Sequence, residues 1–158
     1  MAFTLRDAQP DDLETLWKID QSCFPKGIAY SQRELKYFMN RRGLFTLIAV
    51  DDTLGTVAGF IIAESGLLGH VITIDVVQDT RRSGLGSQLL GTAEERLRQA
   101  GSRAVGLETA VDNLGALSFY KRHGYEVMRT LPRYYANGVD ALLLKKDFDG
   151  PGAKRSEC

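Results

Sequence analysis

The sequence predicts an α/β domain of the α+β kind: a mixed, mostly antiparallel sheet of about seven strands with helices on both faces, in the order β-αα-βββ-α-β-α-ββ. Three observations lead there. An apolar run at 71–77 is followed by a short basic, Gly-rich loop, Arg81-Arg82-Ser83-Gly84-Leu85-Gly86, and then by an amphipathic run from Leu85 to Leu97. Apolar runs at 44–50, 57–64 and 71–77 are joined by short turn segments. The 158 residues are enough for one domain with a proper core.

Each element has its own signal. Residues 3–8 read as a strand. Pro10-Asp11-Asp12 opens a helix whose Leu13, Leu16, Trp17 and Ile19 share a face, and Pro25 and Gly27 end it. Ser31, with Glu34 three residues on, forms a capping box for a second helix reaching about Arg42. Strands at 44–50, 57–64 and 71–77 follow, the first two joined by a hairpin turn at Asp51-Asp52-Thr53. The helix after the Gly loop ends near Gly101. Residues 104–109 form a strand and 113–123 a helix. Strands at 126–131 and 140–146 close the sheet as an antiparallel pair. Residues 1–148 form one domain, and polar residues 149–158, with Gly150-Pro151-Gly152, read as a mobile tail.

The loop at 81–86 carries the functional signal. Gly84 and Gly86 have no Cβ, so backbone there can approach a ligand closely. The first N–H groups of the following helix have no intrahelical partner, and with the helix dipole they form an anion site suited to a phosphate or pyrophosphate. A tight turn with solvated arginines is the other reading of this loop alone. A P-loop is excluded because Gly86 is followed by Ser87-Gln88 and not by Lys-Ser/Thr. A dinucleotide fingerprint is excluded because Leu89 stands where a third glycine belongs.

The Arg-x-x-Gly-x-Gly spacing of Arg81, Gly84 and Gly86 resembles the acyl-CoA loop of the GNAT acetyltransferase superfamily. A second block, Leu107-Glu108-Thr109-Ala110-Val111-Asp112-Asn113 with Ala116, Phe119-Tyr120 and Gly124-Tyr125, resembles the second half of the same fold. Tyr134-Tyr135-Ala136-Asn137-Gly138-Val139-Asp140-Ala141 is similar to the C-terminal signature of the RimI-type and related protein N-terminal acetyltransferases. The resemblance spans roughly residues 2–147. It implies acetyl transfer from acetyl-CoA to an amine, with Ile74, Val76, Arg81, Arg82, Ser83, Gly84, Leu85, Gly86, Ser87, Asn113 and Tyr120 holding the co-substrate.

That reaction needs a base for the amine, a donor for the thioester oxygen and a proton for the departing thiolate, whose pKa is about 8.5. Glu108 is a lone carboxylate at the end of an apolar strand, on the opposite side from Leu107 and Thr109. The resemblance assigns it the base; a structural ion pair is the alternative. Asn113 and Tyr120, two helical turns apart, share a face. The resemblance brings the Tyr120 hydroxyl to the thioester sulfur as acid and the Asn113 amide to the cofactor, although Asn113 also suits an N-cap. The oxyanion donor it implies is the backbone N–H of Val76. Phe24, Pro25, Tyr30, Tyr134 and Tyr135 are the candidate acceptor-binding residues, since aromatics offer area and a hydroxyl at low entropy cost. Asp75 either holds the acceptor amine or pairs structurally, and by alternation shares a face with Thr73 and Val71. His70 and His123 read as solvent-facing, and Asp11, Asp12, Glu14 and Asp20 as a solvated helix face.

Composition excludes other classes. Lys plus Arg and Asp plus Glu balance at 20 each, which argues against a broad nucleic-acid surface. No apolar run approaches the ~20 residues of a membrane span. Residues 1–7 lack a signal-peptide pattern, and Cys23 and Cys158 form neither a disulfide framework nor a zinc cluster. A soluble cytoplasmic enzyme without a metal, monomeric or homodimeric, is expected. The expected acceptor is a protein or peptide α-amine. A small-molecule amine (polyamine, aminoglycoside or amino acid) or a lysine is the alternative, and a non-catalytic acyl-CoA-binding module the second alternative.

Overall fold

The structure is a computed structural model that describes residues 2–148. The segment 149–158, expected as a mobile tail, lies outside the described residues. Seven strands, β1 (Phe3–Asp7), β2 (Leu44–Asp51), β3 (Val57–Glu64), β4 (Leu68–Val76), β5 (Ala104–Ala110), β6 (Glu126–Leu131) and β7 (Ala141–Asp147), form one sheet in the order β1-β2-β3-β4-β5-β7-β6. Every neighbouring pair is antiparallel except β4 with β5. The helices are α1 (Leu13–Cys23), α2 (Gln32–Asn40), α3 (Leu85–Gln99) and α4 (Leu114–Arg122).

Each face of the sheet has its own core. On one, Leu85, Leu89, Leu90, Ala93 and Leu97 form the apolar stripe of α3 and pack on Ile61, Ala63, Val71, Val105 and Leu107. On the other, Leu16 and Ile19 of α1 and Leu35 of α2 cover Ile48, Phe60 and Ile62. Burying each such side chain contributes about 1.5–3 kcal/mol before entropy is counted. Local chemistry sets the ends. Ser31 Oγ accepts from the Glu34 N–H while Glu34 Oε1 accepts from the Ser31 N–H, the expected capping box. Residues 10–12 form a 3-10 turn, so α1 proper begins at Leu13.

Two features of β4 differ from the sequence expectation. The strand starts at Leu68, three residues earlier than expected. It also carries a bulge at Ile72: Ile62 pairs with Thr73, but Ala63 pairs with Val71. The extra residue reverses the side-chain alternation. Val71 therefore packs on the α3 face, while Asp75, paired with Phe60, points to α1; the expected common face of Val71 and Asp75 is overturned.

Asp20 is likewise not on a solvated face. It is fully buried in α1, and its Oδ2 accepts from the Tyr30 N–H at 2.6 Å. It faces Asp75, which is also buried and accepts from Thr73 Oγ1 at 2.6 Å. Asp20 Oδ1 and Asp75 Oδ2 are buried without a hydrogen-bond partner, and the two carboxyls are near enough to shift each other's pKa. Two carboxylates cannot both ionise there, so the pair holds a proton: burial, and then the Asp20 carboxyl, push Asp75 well above the usual carboxylate range. Folding raises this pKa, so its stabilising proton is retained below the unfolded value near 3.9 and stability falls as pH rises towards the folded value. Asp75→Asn keeps the shape and supplies a permanent donor to Asp20. Its melting temperature should match wild type at pH 4 and exceed it by about 2–4 °C at pH 8, roughly 1 kcal/mol. A difference independent of pH would show that the pair does not hold a proton.

Candidate active site

The site begins where β4 and β5 part. Their parallel ladder covers only Leu68↔Ala104, Gly69↔Val105 and His70↔Gly106. Beyond it, β4 stays on β3 and β5 stays on β7. The Val77 N–H donates to Ala58 on the β3 side. Successive backbone groups alternate between strand edges, so those of Ile74 and Val76 face the gap. Two of the carbonyls on this edge have partners in the chain: Arg81 Nε donates to Val76 O at 3.1 Å, and Tyr30 Oη to Ile72 O at 3.5 Å. The N–H groups of Ile74 and Val76 have no ladder partner.

A cavity of about 850 Å³ occupies the gap. A smaller one of about 290 Å³, beside Leu13, Phe45 and Arg96, shares no residue with it. One wall of the large cavity is the start of α3. Gly84 is its N-cap at φ 85°, Arg82 sits at φ 68°, and no side chain caps the helix. Its first N–H groups are thus free for an anion. Gly86 packs closely on α4: a Cβ there would stand 3.3 Å from the Phe119 ring. Arg81, Arg82, Gly84, Gly86 and Ser87 all line the cavity. Arg81 is also tied to the strand end through Val76 O and reaches Cys23 Sγ at 3.5 Å. Ser83 turns its hydroxyl to Thr80 O, and Leu85 is buried in the core, so only backbone of these two can serve a ligand.

On this α3–α4 side stands Tyr120, buried between Phe119 and Tyr125 and lining the cavity. Burial pushes its phenol above the ordinary value. Asn113 both caps α4, its Oδ1 accepting from the Ala116 N–H at 3.2 Å, and lines the cavity, so the two sequence readings are compatible. His123 is not simply solvent-facing. Its Nε2 is 2.9 Å from Ser87 Oγ, its ring packs on Phe119, and burial lowers its pKa.

The opposite side carries Glu108. Leu107 enters the α3-side core, so Glu108 projects from the other face. Its Oε1 is 2.8 Å from His70 Nε2. His70, expected to be solvent-facing, is half-buried, and its pKa is raised by the Glu108 hydrogen bond first and by Glu64 in addition. Two loops roof this side. Phe24, Pro25 and Tyr30 come from the α1–α2 loop and Tyr135 from the β6–β7 loop. The loops meet where Ala136 N–H donates to Gly27 O at 3.1 Å. Gly27 has φ 92°, and a Cβ there would fall 2.7 Å from the Asn137 Cβ, so only glycine permits this closure. Tyr134 meets Tyr135 edge to face but is outside the lining and half exposed; Asp75 is sealed beneath α1 and also outside it. Ile28, Asn137 and Val139, not singled out in the sequence, do line the cavity. Gly27 was the signal for them, as a glycine within a loop already assigned to the acceptor.

Comparison with known proteins identifies the family. Residues 13–125 match the model of the Acetyltransferase (GNAT) family. The chain belongs to this family. An N-alpha-acetyltransferase of Saccharolobus solfataricus is 28% identical, over 91% of this chain and 92% of its own. N-alpha-acetyltransferase 30 of Schizosaccharomyces pombe is 32% identical, over 72% and 78%. The crystal structure of Ard1 from Thermoplasma volcanium superposes with a TM-score of 0.84 at 25% identity, covering 93% of this chain and 98% of that one. The GNAT protein described here is thus an N-acetyltransferase with the seven-stranded fold of its relatives. Among its described residues no helix is long and apolar enough to cross a membrane, and no cluster of His, Cys, Asp and Glu could hold a metal ion.

Gly86→Glu would press a carboxylate into the contact with Phe119 and against the helix start. Calorimetry should find acetyl-CoA binding abolished while the variant still melts cooperatively. Unchanged affinity in the folded variant would move the pyrophosphate off this loop.

Proposed function

We propose that the protein transfers the acetyl group of acetyl-CoA to the α-amine of a protein or peptide N-terminus, with Glu108 as base and Tyr120 assisting the leaving thiolate. One observation carries this reading: the parted strands leave a single gap with Glu108 on one face of the sheet and Tyr120 on the other. Acetyl-CoA lies on the α3–α4 side, its pyrophosphate on the N–H groups at the start of α3. The acceptor enters beneath the roof of the two loops. The ammonium gives one proton to Glu108, its nitrogen bonds to the thioester carbon and passes its second proton to water, and the Val76 N–H receives the charge on the carbonyl oxygen. The C–S bond then breaks and the pair of electrons leaves with sulfur. Because its pKa is raised, Tyr120 stays protonated and donates a hydrogen bond to the thiolate as it forms; the thiol proton is made good from water.

The acceptor side favours an N-terminus over a polyamine. The cavity lining holds two carboxylates, Glu108 and Asp112, while Asp20 and Asp75 are sealed away from it. The tyrosines and apolar loop residues suit a peptide backbone and side chain. An α-amine has a pKa of roughly 7.7–8.0 against about 10.4 for lysine, which spares a single carboxylate about 3–4 kcal/mol of deprotonation near neutral pH. A panel of acceptors with acetyl-CoA, read by thiol release, tests this. Short peptides with free N-termini should be acetylated; turnover only with N-terminally blocked lysine peptides, or only with polyamines, would overturn the assignment.

Two variants test the roles. Tyr120→Phe should lower turnover about 10²-fold, the scale for loss of one hydrogen-bond donor to a developing charge, with cofactor affinity nearly unchanged. Intact turnover would make Tyr120 a packing residue. Glu108→Gln should lose most activity at low pH and recover in part near pH 8, as the α-amine deprotonates by itself; recovery about two units later would indicate lysine.

A further inference from the structure

We propose that His123 and Ser87 form a proton-dependent clamp on the pyrophosphate of the co-substrate: charged His123 holds Ser87 Oγ through its Nε2–H, and the Ser87 O–H is then turned to a phosphate oxygen. This rests on the reading that places the pyrophosphate on the start of α3. Ser87 is the third residue of α3, after the N-cap Gly84. The first bond of the helix runs from the Gln88 N–H to Gly84 O at 3.0 Å, so the N–H groups of Leu85, Gly86 and Ser87 have no partner within the helix. Ser87 also lines the cavity, beside Arg82 and Gly84. It can thus offer an anion both its backbone N–H and its hydroxyl. The hydroxyl is already engaged: His123 Nε2 stands 2.9 Å from Ser87 Oγ. His123 is the C-cap of α4, and the two helices meet where Gly86 packs on Phe119, one turn before His123. The His123 ring centre lies 4.6 Å from that of Phe119, so packing as well as the hydrogen bond holds the imidazole in place.

The direction of this hydrogen bond depends on one proton. A neutral imidazole that accepts at Nε2 takes the Ser87 hydrogen, and the hydroxyl then shows only lone pairs to the cavity. An imidazolium has no acceptor. It donates to Ser87 Oγ, which frees the Ser87 hydrogen for the phosphate, and it places a positive charge nearby. Protonation of His123 and binding of an anion at Ser87 therefore favour each other. The charged groups facing the imidazole are Arg122 on α4, Glu94 on α3 and Lys146 on β7. Burial is the first cause holding His123 below the ordinary histidine value of about 6.5; Glu94 opposes it, while Lys146 and Arg122 add to it. Glu94 is itself paired with Lys146 at 2.9 Å. A bound pyrophosphate supplies the negative charge that reverses this, so affinity for it should rise as pH falls. Arg82 and Arg122, which also line the cavity, stay charged throughout and give no such slope.

The probe is acetyl-dephospho-CoA, its affinity measured by calorimetry from pH 5.5 to 8. It keeps the pyrophosphate, which has no titrating proton in this range. It lacks the 3′-phosphate, whose second pKa of about 6 would add a slope of its own. Affinity should rise about fivefold from pH 8 to pH 5.5, as a gain of roughly one unit in the His123 pKa on binding requires. His123→Gln keeps an amide donor for Ser87 without a titrating charge, and should bind the probe with no pH slope. Ser87→Ala should lose several-fold in affinity at pH 5.5 and little at pH 8. The His123 imidazole, followed by NMR, gives an independent reading: its midpoint should lie below 6.5 in the free protein and about one unit higher with the probe bound. A wild-type pH slope in His123→Gln, equal losses at both pH values in Ser87→Ala, or an imidazole midpoint indifferent to the probe would each overturn the proposal. A slope seen with acetyl-CoA and absent with the probe would assign the effect to the 3′-phosphate and overturn it too. Failure of the pyrophosphate placement itself would appear separately, as undiminished acetyl-CoA affinity in Gly86→Glu.

Discussion

Hydrogen bonding between β4 and β5 stops after His70 and Gly106, and the rest of the site follows from that break. A sheet normally satisfies every interior N–H and C=O through its neighbours, and an unpaired buried group costs about 1–3 kcal/mol. Here the freed edge of β4 is handled unequally. Arg81 and Tyr30 donate to carbonyls of Val76 and Ile72, while the N–H groups of Ile74 and Val76 face the cavity. What remains open on this edge is the Ile74 carbonyl with the N–H groups of Ile74 and Val76, which suits an amide-bearing cofactor arm and a developing oxyanion. The same gap joins the two faces of the sheet, so donor and acceptor can meet without either crossing the other's path.

The two faces are electrostatically unlike. The α3–α4 side offers helix N–H groups with Arg82 and Arg122 in the lining, a setting for phosphate. The acceptor side offers Glu108, its histidine partner and tyrosines. On the acceptor face, beneath α1, lies the buried Asp20–Asp75 pair, which joins α1 to β4 and, through the Tyr30 N–H, holds the acceptor loop where it enters α2. The position of the roof and the position of the strand carrying Val76 are thereby linked through this pair. Glu94 has a comparable part on the other side, accepting from Tyr125 Oη at 2.7 Å and Lys146 Nζ at 2.9 Å to hold α3 to the end of the sheet.

Much of this was legible in the sequence because it is local. The capping box at Ser31, the glycines before α3, the apolar stripe at 85–97 and the lone carboxylate at Glu108 each declare themselves within a few residues. What was not legible depends on partners distant in sequence. The bulge at Ile72 adds one residue to a run that reads as regular, and it exchanges the faces of Val71 and His70. Asp20 sits among acidic residues of α1 and differs from them only in facing Asp75, 55 positions away. The meeting of Gly27 with Asn137 joins two loops that no periodicity connects. Arg81 fits the cofactor motif, yet the structure shows it also bracing Val76 and α1.

The central claim is that the gap between β4 and β5 is where an acceptor on one face meets a thioester on the other. A co-crystal structure with CoA joined covalently to a short peptide through its N-terminal nitrogen measures this directly. The linking carbonyl should lie between β4 and β5 with its oxygen within hydrogen-bond distance of the Val76 N–H, the pyrophosphate on the start of α3, and the peptide under Phe24 and Tyr135 with its nitrogen on the Glu108 side. A conjugate bound with both halves on one face of the sheet, or with its carbonyl away from Val76, would contradict the account.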